Sequence, residues 1–265
     1  MSDESHSSIY DDLVENQPKK NKDKRELKLN LKSIKLNKIP VFVYLIIIFL
    51  LIFFIIPALL RFVRGFGVWK EYDYMAGKDF IGAPIQEKLD PDEELYEVQN
   101  IGGYTFKIKK IAKYSISGRV VNVQDYLGYD AFNRFSPRDF GLAYGLYANK
   151  DNTKGIFFYS LHDRFLHWHM FGGNKVSELG GYNRFALSVS NNHIIPSDKK
   201  VSKLMYKVKR NDYIRVEGFL ASVYYDNNKD QVSKSLWTSS TQRNDTGNGA
   251  CEIILVKNIV WLKEP

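Results

Sequence analysis

Hydrophobic and polar positions fall into three textures along the chain. Residues 1–18 (MSDESHSSIYDDLVENQP) are acidic and polar with few large apolar side chains. That composition predicts a disordered tail, because too little apolar surface can be buried to offset the ordering of the chain. Ile39–Leu60 then runs 22 positions without a charged residue. A helix of that length reaches roughly 33 Å, enough to cross the hydrocarbon core of a bilayer. RFVRGFG follows it rather than a small-residue cleavage site, so the segment reads as an uncleaved signal anchor over 39–63. Pro57 near its end is tolerated in a membrane helix as it would not be in a soluble one.

The third texture begins at Tyr104. Residues 64–103 show Gly, Pro and acid clusters without a sustained period and read as a spacer. In Tyr104–Tyr126 apolar residues alternate with polar ones (Tyr104, Phe106, Ile108, then Tyr114, Ile116, Gly118, Val120), which predicts strands with one buried face. FFYSL, RFALSVS, YIRVEGFLASVYY and CEIILVKNIVWL continue the β pattern through their Val, Ile, Phe and Tyr content. Two helices are expected among them. SPRDFGLAYGLYAN offers Ser136 as N-cap, Pro137 at the first position and Asp139 at the third. PSDKKVSKLMYKV offers Ser197 or Asp198 as cap and sets Val201, Leu204, Met205 and Val208 on one face. Glycines at Gly118 and Gly218 mark where barrel strands bend. The expected fold is mainly β: one N-terminal transmembrane helix, then a small OB-like β-barrel with two short helices over 104–265.

Charge adds orientation. The net charge is +8, and residues 19–38 alone hold nine Lys/Arg against Asp23 and Glu26. This basic run precedes the apolar span, whereas Arg61, Arg64 and Lys70 beyond it soon meet Glu71 and Asp73. The positive-inside rule therefore predicts a cytoplasmic tail over 1–38, disordered and then basic, with the β-domain on the far side. Outside this run the rest of the chain sums close to zero charge, and the expected location of the β-domain argues against nucleic acid as a partner. A single cysteine, Cys251, excludes an intrachain disulfide framework and a CxxC site, and its apolar surroundings in ACEIILV predict a buried thiol with a raised pKa.

Two stretches carry candidate chemistry. In FYSLHDRFLHWHM, His167 and His169 stand at i and i+2 of a strand and project from one face, with His162 nearby and His193 in a later segment. Such a set could hold a divalent metal. The same residues are explained without one if Leu166, Trp168 and Met170 face inward and the histidines outward. In SSTQRNDTGNGACE, Arg243, Asp245, Thr246, Gly247 and Gly249 could form a ligand-binding loop with Arg243 as anion anchor, or a tight structural turn. No GxSxG, HExxH, Walker A or GxGxxG motif occurs, and no residue is assigned a catalytic role.

On YSISGRVV, SPRDFGLAYG, SNNHIIPS, KVKRNDYIRVEGFL and LWTSSTQRNDTGNGACEIILV, over roughly residues 110–262, the chain resembles a family of uncharacterised bacterial single-span inner-membrane proteins with an exported OB-like domain. The resemblance implies an envelope setting with a periplasmic domain, and other envelope proteins as partners. It implies no catalytic role. The expectation is a membrane-anchored binding or assembly module with no cofactor. The alternative is a metal-dependent hydrolase built on His162, His167 and His169.

Overall fold

A computed structural model describes residues 40–73, 82–126, 128, 131–161, 163–226, 234–242 and 251–264. Two compact units divide the chain between Leu50 and Leu51. The apolar run forms helix α1, Val41–Arg64, and it is the one helix among the described residues long and apolar enough to cross a membrane. Its side chains from Val41 to Val63 are exposed with few exceptions. A helix apolar on every side and uncovered by protein is stable only where its surroundings are apolar too. Pro57 has no N–H to bond the carbonyl one turn back, and the helix widens to a π turn over Leu51–Ile55 just before it.

The second unit is mainly β. Its strands are β1 (Tyr72–Asp73), β2 (Ile85–Glu87), β3 (Tyr96–Ile101), β4 (Tyr104–Asp125), β5 (Arg138–Ala143) and β6 (Ile156–Ser160). They continue with β7 (Leu166–Met170), β8 (Val189–Pro196), β9 (Tyr213–Asp226), β10 (Lys234–Thr238) and β11 (Cys251–Leu262). Short helices α2 (Ala131–Phe135), α3 (Gly181–Ala186) and α4 (Lys199–Lys207) interrupt them. The long strand β4 pairs antiparallel with β5 at its C-terminal end and with β9 along most of its length. Strand β8 pairs antiparallel with β5 and parallel with β11, and β11 pairs antiparallel with β9. Strands β6 and β7 form a separate hairpin.

Alternation decides the faces. Phe140, Leu142, Ile194, Ile214, Val216, Leu220, Ile254 and Val256 point into the largest core cluster with Val201, Leu204 and Met205 of α4. Each such side chain contributes about 1.5–3 kcal/mol when fully buried. Helix α4 begins as the sequence predicts: the Val201 N–H donates to Asp198 Oδ1 at 2.9 Å. Gly118 and Gly218 sit where backbones approach closely. A Cβ at Gly218 would lie 2.1 Å from the Leu255 carbonyl oxygen, and one at Gly118 2.7 Å from that of Ala143.

Three sequence expectations fail. SPRDFGLA is not helical: Arg138–Ala143 is strand β5, buried at all six positions between β4 and β8. Capping signals are worth about 1 kcal/mol, less than two ladders and the burial of Phe140 and Leu142. The helix in this region is α2, which ends just before Ser136. RFALSVS likewise splits, Arg184–Ala186 closing α3 and Val189 opening β8. Nor is the 64–103 segment without structure, since β2 and β3 both add to β4.

Candidate functional site

Strands β5, β8 and β11 lie side by side, and one face of the three carries most of the unusual polar chemistry. Asp139 is the register partner of His193, and Asn191 is the partner of both Gly141 and Cys251. Period-two geometry therefore sets Asp139, His193, Asn191 and Cys251 on the same face, opposite to Phe140, Leu142 and Ile194. Asp139 and His193 are both buried, with side chains 2 % exposed, and His193 Nδ1 stands 2.9 Å from Asp139 Oδ2. The approach is off the hydrogen-bond axis, so the two groups are close neighbours rather than partners in an aligned bond.

Above this face lies Arg164, whose backbone adopts a positive φ of 63°. A left-handed arginine is strained unless its surroundings fix it. Asn191 Nδ2 donates to the Arg164 carbonyl at 2.7 Å, and the guanidinium donates to the Ser136 carbonyl. The guanidinium lies over the rings of Tyr126, Phe132 and Trp237, at 3.8, 4.9 and 5.3 Å from their centroids. Its Nη1 is 4.0 Å from Asp139 Oδ1. An arginine with its side chain 11 % exposed, framed by three aromatic faces and one carboxylate, is a fixed cation that water screens only in part.

A cavity of about 320 Å³ opens among Phe132, Asp163, Arg164, His193, Trp237 and Cys251, completed by Phe165 and Leu236. This lies within the size range of small-ligand sites, and the wall is mainly apolar with a few fixed polar groups. Burial pushes the Cys251 thiol up to about 11, against the opposing hydrogen bond from Asn191 Nδ2 at 3.4 Å. The thiol is thus protonated at neutral pH, as its apolar sequence context implied. Burial, and then the Asp139 carboxylate, push the Tyr126 hydroxyl far upward, so it too keeps its proton. The Trp237 ring lies 4.1 Å from the His193 ring, centroid to centroid.

The histidine stretch is arranged as its alternation predicts. Leu166, Trp168 and Met170 pack in the cluster of Tyr147, Phe158 and Phe185, while His167 and His169 take the opposite face of β7. Asp163 Oδ2 lies 2.7 Å from His167 Nε2, and the Tyr159 ring stacks on the imidazole. Burial raises the Asp163 pKa, but the Phe165 N–H and His167 outweigh it and hold the carboxyl below its usual value. His169 meets Phe171 edge to face. Among the described residues no three His, Cys, Asp or Glu side chains converge as a metal site. His162 lies outside the described residues, as do Arg243, Asp245, Thr246, Gly247 and Gly249. Trp237 and Cys251, which flank that loop in sequence, both line the cavity.

Sequence reasoning names His193 and Cys251 but passes over Asp139, Arg164 and Trp237. Asp139 is masked by its place in a helix-like capping pattern, and Arg164 sits in a loop with no period. No family model, curated protein or solved structure matches the chain.

Proposed function

We propose that the chain is a membrane-anchored envelope protein whose β-domain binds a ligand or protein segment in the Arg164–His193–Trp237 cavity. The carrying observation is Arg164 itself, a strained and deeply framed cation at the edge of an apolar cavity. Folds keep such arrangements where the fixed group meets something outside the chain. The chemistry suits a flat or branched apolar group on Phe132, Phe165, Leu236 and Trp237, with an acceptor reaching Arg164. The raised thiol pKa of Cys251 favours binding over nucleophilic chemistry.

The OB-like reading of the domain draws support from the chain of pairings β4–β5–β8–β11–β9–β4 and from α4 between β8 and β9. The bacterial inner-membrane setting and the periplasmic side for the domain rest on the sequence resemblance and on the dense basic run before α1. The segment carrying Arg243, Asp245, Thr246, Gly247 and Gly249 stands in sequence between Trp237 and Cys251, which both line the cavity, and this supports its part in ligand contact.

The test is native mass spectrometry of the full-length protein extracted gently from its own membranes, with Trp237→Ala alongside. A bound species present on the wild type and lost from a folded Trp237→Ala variant supports the proposal. A wild type that carries nothing beyond lipid and detergent counts against it.

A further inference from the structure

A second cavity lies at the C-terminal end of α1. It measures about 650 Å³ and is lined by Arg64, Tyr126, Asn133, Arg134, Ser202 and Tyr206, together with Gly128, Pro137 and Pro196. Among the described residues that line it two are arginines and none is acidic. Asp125, next to Tyr126 in sequence, is paired with Arg61 and Arg138. Arg64 Nη1 donates to the Tyr206 hydroxyl at 3.4 Å, and its guanidinium stands 5.1 Å from the Tyr206 ring centroid. Burial raises the Tyr206 pKa, so its hydroxyl keeps its proton at neutral pH. Two arginines with hydroxyl and amide donors match the geometry of a phosphate.

Position along the helix names the source of that phosphate. The uncharged run ends at Leu60, and Arg64 is the last residue of α1, one helical turn further. If about 20 residues fill the hydrocarbon core, Arg61 and Arg64 stand at headgroup depth. We infer that this cavity takes the phosphate of an anionic membrane lipid on the side of the β-domain. The inference rests on reading α1 as a membrane span. Occupancy would fix the domain's base against the bilayer surface, with the aromatic rings of Tyr126 and Tyr206 against the upper acyl or glycerol region.

The experiment uses the full-length protein in nanodiscs of phosphatidylcholine with a minor fraction of phosphatidylglycerol. Native mass spectrometry counts the phosphatidylglycerol retained by the wild type, Arg134→Gln, Arg64→Gln and a control, Lys154→Gln, whose side chain is 72 % exposed. All four share the basic residues 19–38, so lipid held by that tail cancels in the comparison. The wild type and Lys154→Gln are expected to retain phosphatidylglycerol over phosphatidylcholine, with retention about tenfold weaker in Arg134→Gln and Arg64→Gln. Equal retention by all four overturns the inference. Displacement of the lipid by inorganic phosphate also overturns it and marks a soluble-anion site instead. Alkaline carbonate washing of native membranes separates the two failures: release of the protein refutes the membrane reading, whereas retention with equal lipid counts refutes only the cavity's role.

Discussion

Asp125 is the place where one atom's charge decides most. It closes strand β4 with its side chain 7 % exposed, and its Oδ1 lies 2.9 Å from Nε of Arg138, itself 4 % exposed. Arg138 has a further anchor, since its Nη1 donates to the Met205 carbonyl at 2.6 Å. Burial pulls the Arg138 pKa down and Asp125 opposes that pull. Asp125→Asn keeps the shape and removes the charge, leaving a buried guanidinium without its counterion. Breaking one partner of a buried pair costs about 3–5 kcal/mol. The Arg61 contact to the same carboxylate adds little, because Arg61 is 53 % exposed. For a unit of this size, about 2–4 °C per kcal/mol predicts a Tm lowered by roughly 6–20 °C. Tryptophan fluorescence during thermal unfolding in detergent reports it, with Trp168, Trp237 and Trp261 all in the β-domain. Arg138→Met in the Asp125→Asn background removes the stranded charge, and the double variant is expected to be no less stable than Asp125→Asn alone. A Tm for Asp125→Asn within roughly 3 °C of wild type would refute the reasoning.

Three further outcomes follow from particular contacts. Gly218→Ala drives a Cβ to 2.1 Å from the Leu255 carbonyl oxygen, so β9 and β11 must part there; a loss of about 1–3 kcal/mol is expected in urea unfolding. Cys251 is expected to react slowly with iodoacetamide at pH 7.5, its rate climbing as pH rises toward the thiol's pKa of about 11. Because folding raises that pKa above its ordinary 9.0, the thiol favours the folded state fully below pH 9, and that contribution fades as pH rises to about 11. Rapid labelling at neutral pH would contradict the raised pKa. Elemental analysis of untagged protein is expected to find substoichiometric zinc, copper and manganese, unchanged in His167→Ala, since Asp163 and Tyr159 already engage that ring. One metal per chain, lost in His167→Ala, would restore the histidine cluster as a site.

The parts of this chain legible in its sequence are those governed by a local period. The apolar run at 39–60 could be little else than one long helix. The outward histidines and inward Leu166, Trp168 and Met170 follow from parity alone. Helix α4 has both its cap and its apolar stripe in nine residues. Strand β5 was hidden for the opposite reason: Ser136, Pro137 and Asp139 satisfy helix-start rules, and only pairing to β4 and β8, distant in sequence, overrules them. The same long-range pairing assembles the cavity. Asp139 meets His193 only because β5 and β8 lie in that register, and Cys251 joins them only through the parallel alignment of β11. Arg164 and Trp237 come from segments that share no period with any of the three. A one-dimensional pattern carries none of that.

The central claim is a β-domain held by one membrane helix on the side opposite the basic tail. Protease added to intact spheroplasts carrying the full-length protein, tagged at each end, tests it most directly. The account predicts loss of the C-terminal tag and protection of the N-terminal tag until the membrane is permeabilised. Protection of the C-terminal tag in sealed cells, with or without loss of the other, would contradict it.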